Sequence, residues 1–283
     1  MTVLEGIQKS TEFLTKKEIE SPRLQAELLL AHVLKLPRMK LYLNFERALT
    51  DAETTAYREL IKRRSQHEPL QHITGSTSFC GLEIAVNRHV LVPRPETEIL
   101  AELGWSFLST INPQPSTALD FGTGSGCIAI ALAVKCPTAN VIALDVFPET
   151  LDVAKQNAVR NNLPKKIEFL QSDGFAALPN ETQFDLIISN PPYIPAGEIA
   201  ALEPEVRDYD PHGALDGGED GLNFYRRFAI EARKFLKPEG KVMLEFGDGQ
   251  GGSVRNIFEE QKWIVEAIRE DYTQRQRILI ARC

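Results

Sequence analysis

Cysteines are few and scattered in this 283-residue sequence. The four of them, Cys80, Cys127, Cys136 and Cys283, include no Cys-x-x-Cys spacing, which argues against a zinc site or a disulfide framework. The five histidines have no metal-ligand spacing either. We therefore expect a protein that works without a metal ion in a reducing compartment.

Long apolar runs are also missing. No stretch approaches the roughly 20 residues that a membrane-spanning helix needs. The first residues, Met-Thr-Val-Leu-Glu-Gly, lack the basic and apolar regions of a signal peptide. We expect a cytoplasmic protein with no membrane partner.

Positive charge is scarce relative to negative charge. The 32 Lys and Arg residues against 39 Asp and Glu residues give a net charge of −7. Because sequence-independent binding of DNA or RNA usually depends on a basic surface, nucleic acid is not expected as the direct substrate.

The apolar pattern divides the chain into three parts. Residues 1–75 contain no strand-like run and predict a small helical bundle, an N-terminal domain that docks a substrate protein. Residues 76–94 predict a β-hairpin connector broken by Gly81. From 95 to 283, short apolar runs alternate with helical patterns, which predicts an α/β fold: a doubly wound, Rossmann-like domain with a mostly parallel sheet.

Helical spacing predicts the buried faces of the first two helices. These faces consist of Leu4, Ile7, Thr11 and Leu14 in the first helix and of Leu24, Leu28, Ala31 and Leu34 in the second. The sequence Thr50-Asp-Ala-Glu53 fits a capping box and predicts a helix from there to about Ser65.

A glycine loop follows the first predicted strand of the α/β part. Leu119-Asp120-Phe121 closes that strand, and the loop itself consists of Gly122, Thr123, Gly124, Ser125 and Gly126. Glycines permit a tight turn and let backbone N–H groups approach a ligand. The next strand ends in Asp145, where a carboxylate can accept hydrogen bonds from both hydroxyls of a ribose. The combination predicts a site for a nucleoside cofactor.

Dinucleotides and S-adenosylmethionine both use this geometry. The loop is one residue tighter than the dinucleotide fingerprint, and the Asp120 carboxylate would crowd a pyrophosphate while suiting a cationic methionine group. These features favour S-adenosylmethionine over NAD. The Asp-x-Gly-x-Gly-x-Gly loop is similar to the methyltransferase motif, and this similarity implies that Asp173 and Gly174, which follow the third strand, lie beside the adenine ring. Asp173 would also suit a turn or a helix cap.

Asn190-Pro191-Pro192-Tyr193 is the most informative stretch. It follows the apolar run 184–189, so Asn190 is expected where a buried strand ends, the edge at which open α/β sheets bind ligands. The prolines hold the chain stiffly. An amide side chain, a free carbonyl and an aromatic face together suit a planar group that bears an NH2. We assign these four residues to catalysis and substrate binding, with Asn190 also contacting the cofactor.

Several stretches together resemble the release factor glutamine methyltransferases, the HemK/PrmC family. They are Glu68–Gly75, Leu91-Val-Pro-Arg-Pro-Glu-Thr-Glu98, Asp120–Gly126, Ser189–Tyr193, Ala214–Leu222 and Glu245–Gln250. The resemblance covers nearly the whole chain. It departs at Gly174, where some relatives have a bulky residue.

The resemblance implies methylation of the glutamine side-chain nitrogen in the Gly-Gly-Gln motif of peptide chain release factors, with S-adenosylmethionine as methyl donor. Three alternatives remain open. They are a methyltransferase for exocyclic amines of nucleobases, a scaffold that binds the cofactor without turnover, and a nicotinamide oxidoreductase. The long acidic segment 194–219 is interpreted as a substrate-binding lid.

Overall fold

The computed structural model describes residues 1–111 and 114–283, and these residues divide into two units. One unit comprises Met1–Gly75 and Glu203–Tyr209; the other comprises Ser76–Leu202 and Asp210–Cys283. Among the described residues, no helix combines the length and apolar character needed to cross a bilayer.

The first unit is helical, as predicted. Its helices in residues 1–75 are α1 Val3–Thr15, α2 Pro22–Leu34, α3 Arg38–Leu41, α4 Asp51–Arg64 and α5 Leu70–Thr74. The capping box is confirmed, because Thr50 Oγ1 accepts a hydrogen bond from the Glu53 N–H at 3.2 Å and Glu53 Oε2 accepts one from the Thr50 N–H at 2.9 Å. These bonds satisfy N–H groups that the helix itself leaves unpaired, so α4 begins here.

The predicted buried face is partly right for α1, and for α2 it is right at Ala31 and wrong at Leu24. Ile7 and Leu14 are buried in α1, but Leu24 in α2 is 40% exposed. The face that α2 buries consists of Ala26, Glu27, Leu29, Leu30 and Ala31. Glu27 can be buried because Arg23, Arg38 and Tyr42 all donate hydrogen bonds to its carboxylate at 2.9–3.0 Å. Hydrophobic spacing alone does not predict this buried face of α2, because the face includes the charged residue Glu27.

The predicted β-hairpin is present. Strands β1 Ser76–Phe79 and β2 Leu82–Ala85 pair antiparallel, and the two turn residues, Cys80 and Gly81, have positive φ values of 51° and 77°. That conformation is typical of a two-residue hairpin turn. The side chain of Asn157 holds the hairpin, accepting from the Ala85 N–H at 2.7 Å and donating to the Ala85 carbonyl at 2.9 Å.

A seven-stranded sheet with flanking helices forms the rest of the second unit. The remaining strands are β3 Thr117–Phe121, β4 Asn140–Asp145, β5 Ile167–Gln171, β6 Phe184–Ser189, β7 Leu236–Glu245, β8 Ile264–Glu270 and β9 Gln276–Arg282. The remaining helices are α6 Pro95–Leu108, α7 Cys127–Lys135, α8 Pro148–Arg160, α9 Pro204–Arg207 (which belongs to the first unit), α10 Asn223–Glu231 and α11 Gly251–Glu260.

The strand order β5-β4-β3-β6-β7-β9-β8 confirms the doubly wound, Rossmann-like sheet. Strands β3 to β7 pair parallel, and β9 joins antiparallel to both β7 and β8. The chain moves outward from β3 through β4 to β5 and then returns to the other side of β3 with β6. The carboxyl ends of β3 and β6 therefore flank a topological switch point, where such sheets bind ligands.

Apolar residues cover both faces of the sheet. Successive strand residues point to opposite faces: Ala118 packs with Leu186 and Ile188 in one cluster, whereas Leu119 packs with Ile187 in the other. This two-sided burial explains why β3 and β6 read as apolar runs without alternation. The polar residues that follow these strands are left at the edge of the sheet.

Candidate active site

A cleft of about 300 Å³ lies at the carboxyl ends of β3, β4 and β6. It brings most of the predicted site residues together. Those in its lining are Gly122, Thr123, Gly124, Ser125, Asp145, Asp173, Gly174, Asn190, Pro191 and Pro192. Two predicted residues, Gly126 and Tyr193, lie outside the lining.

The glycine loop is held against β4 by its own backbone. The Thr123 N–H donates to the Leu144 carbonyl at 2.8 Å, and the Gly124 N–H donates to Asp145 Oδ2 at 3.0 Å. Gly126 acts differently from the other loop residues: a Cβ there would lie 3.0 Å from the Ala154 Cβ, and its φ is 81°. Gly126 therefore permits the close approach of α7 to α8.

The buried side chain of Asp120 stabilises the glycine loop. Its Oδ2 accepts hydrogen bonds from Thr123 Oγ1 at 2.6 Å and from the Ala129 N–H at 3.0 Å. Burial raises the pKa of Asp120 to about 7. The carboxylate thus joins the loop to the first turn of α7, and its predicted contact with a methionine group stays a prediction.

Asp145 presents its carboxylate at the end of β4. Its Oδ1 accepts from the Phe147 N–H at 3.1 Å and its Oδ2 accepts from Gly124. Burial raises the pKa of Asp145, against the hydrogen bonds from Phe147 and Gly124 that lower it. Beside it, Val146 and Phe147 expose apolar side chains to the cleft. A carboxylate next to an apolar surface fits a ribose diol and an attached purine.

Asp173 and Gly174 meet an arginine that sequence reasoning missed. Arg227 Nη1 lies 2.6 Å from Asp173 Oδ1, and the Asp173 side chain is 75% exposed. A Cβ added to Gly174 would lie 2.5 Å from Arg227 Nη2. Arg227 therefore fills the space that a side chain at 174 would take. The predicted contact of Asp173 with adenine stays a prediction.

Asn190 is oriented by two residues from other elements. Asn190 Nδ2 donates to Thr97 Oγ1 at 2.9 Å, and Thr97 Oγ1 donates to Glu245 Oε2 at 2.7 Å. Thr97 lies in the first turn of α6 and Glu245 ends β7. Asn190 Oδ1 is left without a donor among the described residues. Thr97 was missed as a site residue, although it lies within the Pro-Arg-Pro-Glu-Thr-Glu segment.

Tyr193 lies outside the lining of the cleft and packs against an apolar cluster of the sheet. Its carbonyl accepts a hydrogen bond from Gln250 Nε2 at 2.8 Å, and its ring lies beside Gly247. Burial raises the pKa of Tyr193 to about 12. Its predicted packing against a substrate amide stays a prediction.

The segment predicted to be a lid is joined to the start of α6 by an ion pair. Arg94 Nη2 lies 2.8 Å from Asp210 Oδ2, and the Asp210 side chain is only 2% exposed. The next residues, Pro211, Gly213 and Ala214, line the cleft. The ion pair therefore fixes one wall of the cleft.

Removing the arginine takes away the ion pair that it makes with the buried Asp210 carboxylate. We expect Arg94→Ala to lower the free energy of unfolding by about 2 kcal/mol, between the values for exposed and buried pairs, because Arg94 is partly exposed. Thermal unfolding checks this. The control is Arg160→Ala, which removes the exposed pair with Glu83 and should change the unfolding temperature little. Equal effects of the two substitutions would contradict this account of Arg94.

The sequence and fold match known families. Residues 5–75 match the PrmC N-terminal domain, and residues 104–202 match the methyltransferase small domain. The release factor glutamine methyltransferase of Geobacter sulfurreducens is 41% identical over 257 residues, covering 91% of this chain and 88% of that protein. The chain belongs to the release factor glutamine methyltransferase family.

Other members and folds agree with this assignment. The release factor glutamine methyltransferase of Chlorobaculum tepidum is 39% identical, covering 98% of this chain and 95% of that protein. Among solved structures, a methyltransferase from Pyrococcus furiosus aligns with a TM-score of 0.51 at 25% identity, over 72% of this chain and 90% of that one. The family assignment and the methyltransferase fold are therefore consistent with each other.

Proposed function

We propose that this chain methylates the side-chain amide nitrogen of the glutamine in the Gly-Gly-Gln motif of peptide chain release factors, in the cytoplasm, and so supports translation termination. The observation that carries the proposal is the hydrogen bond from Asn190 Nδ2 to Thr97, which leaves Oδ1 as an acceptor at the cleft. The relatives named release factor glutamine methyltransferase, 39–41% identical, support the same substrate.

The donor set at the cleft fits S-adenosylmethionine. Backbone N–H groups of the glycine loop, the Asp145 carboxylate and the apolar surface of Val146 and Phe147 suit the methionine, ribose and adenine parts in turn. When bound, this cofactor supplies a methyl group on a sulfonium sulfur and leaves as S-adenosylhomocysteine. We assign Gly122–Ser125, Asp145, Asp173 and Gly174 to its binding.

Positioning is the main task of the acceptor site. An amide nitrogen is a poor nucleophile because its lone pair is delocalised, so fixed geometry must supply much of the rate acceleration. Asn190 Oδ1 and the Pro191 carbonyl accept the two N–H bonds of the glutamine amide. They aim the nitrogen at the methyl group and stabilise the positive charge that develops on it. The new bond joins nitrogen to the methyl carbon, and one N–H proton is released.

The first unit has a separate role in this proposal. Residues 1–75 match a PrmC N-terminal domain, and we assign them to docking of the release factor.

Transfer of radiolabel tests the proposal. The protein is incubated with labelled S-adenosylmethionine and a release factor that is intact or has its Gly-Gly-Gln glutamine changed to alanine. We expect label on the intact factor only. Equal labelling of both factors, or labelling of DNA or RNA alone, would reject the glutamine as substrate, the second of these in favour of a nucleobase amine.

A further inference from the structure

We propose that Glu245 and Thr97 are positioning residues that decide which end of the Asn190 amide faces the substrate. The inference rests on the proposed function, in which Asn190 must accept a hydrogen bond from the glutamine NH2. Neither residue needs to touch the substrate for this role.

The side chains of Glu245, Thr97 and Asn190 form a chain of hydrogen bonds, and its end at Glu245 is buried. Glu245 and Thr97 are each 2% exposed. The chain runs from Glu245 Oε2 through Thr97 Oγ1 to Asn190 Nδ2, with separations of 2.7 and 2.9 Å. Strand pairing places Glu245 near Asn190, since the residues just before them, Leu244 and Ser189, are paired in β7 and β6.

The direction of this chain follows from proton counting. A threonine hydroxyl has one hydrogen to donate. If Glu245 is ionised it can only accept, so the Thr97 hydrogen is used there and Thr97 must accept from Asn190. The NH2 end of Asn190 is thereby held at Thr97, and Oδ1 is presented to the substrate.

A neutral group at position 245 removes this constraint. A protonated Glu245 can donate to Thr97, and the Thr97 hydrogen then becomes available to Oδ1 of a rotated Asn190. The rotated side chain presents its own NH2 to the substrate NH2, donor against donor. The acceptor on which the transfer depends is lost in that state.

The groups around Glu245 set the pH at which its carboxylate is protonated and the Asn190 amide can rotate. Arg94 and Arg277 favour its ionised form, whereas Glu96 and, above all, burial oppose it; Tyr193 and Tyr225 also lie close. The Tyr225 hydroxyl donates to the Glu245 backbone carbonyl at 2.7 Å, leaving the carboxylate to Thr97. Burial has the largest effect and raises the pKa of Glu245 to about 7, against the Thr97 hydrogen bond and the two arginines, which lower it.

Kinetics of Glu245→Gln and Thr97→Val test the role. We expect kcat to fall about tenfold or more in each, with the KM for the release factor and the Kd for S-adenosylmethionine changed by less than about threefold. Thr97→Ser keeps the hydroxyl and should restore most of kcat. The wild-type kcat should decline as pH falls through about 7, and Glu245→Gln should lose this ionisation.

The matched control is Thr117→Val at the opposite end of the sheet. Thr117 Oγ1 also bonds a carboxylate, Asp185 Oδ2, at 2.9 Å, but it lies where β3 begins. This substitution should leave kcat and its pH profile unchanged. A fall in kcat equal to that of Thr97→Val would overturn the inference, because any lost threonine–carboxylate bond would then have the same effect.

Two readouts do not depend on turnover. Because the folded-state pKa of Glu245 is raised, its contribution to stability is present below the ordinary carboxyl pKa and is lost as pH rises through about 7. Glu245→Gln should therefore unfold at a higher temperature than wild type at pH about 8. The side-chain amide resonances of Asn190, assigned with the Asn190→Ala variant, should titrate near neutral pH in wild type and not in Glu245→Gln.

The outcomes separate this inference from the proposed function. If wild type labels no release factor but the Asn190 resonances titrate through Glu245, the substrate is wrong and the coupling stands. If wild type is active but Glu245→Gln and Thr97→Val keep kcat, the pH profile and the Asn190 titration of wild type, the positioning role is overturned.

Discussion

Replacing Asn190 by alanine is expected to lower kcat by about 10²–10³-fold, the cost of removing one preorganised hydrogen-bonding group at the reacting centre. Asn190 Oδ1 has no donor among the described residues, while its Nδ2 is held by Thr97. The side chain is therefore oriented before substrate arrives. Because the carboxylate that we assign to the cofactor ribose is Asp145, the Kd for S-adenosylmethionine should change by less than about tenfold.

Steady-state kinetics with a release factor, together with calorimetry for the cofactor, check this prediction. Asn161→Ala is the control, since it removes an amide at the end of α8 that donates to the backbone carbonyls of Glu83 and Asn157. Its kcat should equal that of wild type. Simultaneous loss of turnover and of cofactor binding in Asn190→Ala would mean that Asn190 holds the cofactor rather than the glutamine.

Asp145→Ala is expected to produce the second large effect, on cofactor affinity. Two hydrogen bonds from the ribose to a carboxylate contribute about 1.5 kcal/mol each or more, and each 1.4 kcal/mol is about tenfold in Kd. We therefore expect the Kd for S-adenosylmethionine to rise about 100-fold or more. The loss should appear in binding first, so that kcat recovers in part when the cofactor is saturating.

Titration calorimetry of the cofactor onto Asp145→Ala and Asp173→Ala makes the comparison. Asp173 is exposed and paired with Arg227, so its loss should raise the Kd by less than about tenfold, as expected for an exposed polar contact. An unchanged Kd for Asp145→Ala would contradict the assignment of the ribose site. A larger effect at Asp173 than at Asp145 would move the main polar contact to the adenine.

The sequence alone was sufficient to predict features that depend on residues close together in the chain. The apolar runs of β3 and β6 predicted buried parallel strands because burial on both faces removes alternation. The Gly122–Gly126 loop and Asp145 follow consecutive parallel strands, and such strands end at the same edge of a sheet. Their meeting in one cleft therefore follows from the topology alone.

Features that depend on distant residues could not be predicted in this way. Thr97 and Glu245 are 148 residues apart in the chain, and no spacing rule joins them. Glu27 is charged and was not among the residues predicted to be buried, yet hydrogen bonds from Arg23, Arg38 and Tyr42 allow its burial. The Tyr193 carbonyl accepts a hydrogen bond from Gln250, which lies 57 residues further along the chain, and no local pattern joins these two residues.

Tandem mass spectrometry of a release factor treated with S-adenosylmethionine and this protein tests the central claim most directly. After wild type, we expect one added methyl group on the side-chain nitrogen of the glutamine in the Gly-Gly-Gln peptide. After Asn190→Ala at equal cofactor occupancy, the peptide should remain almost unmodified. A methyl group on any other residue, or equal modification by the two proteins, would contradict the account.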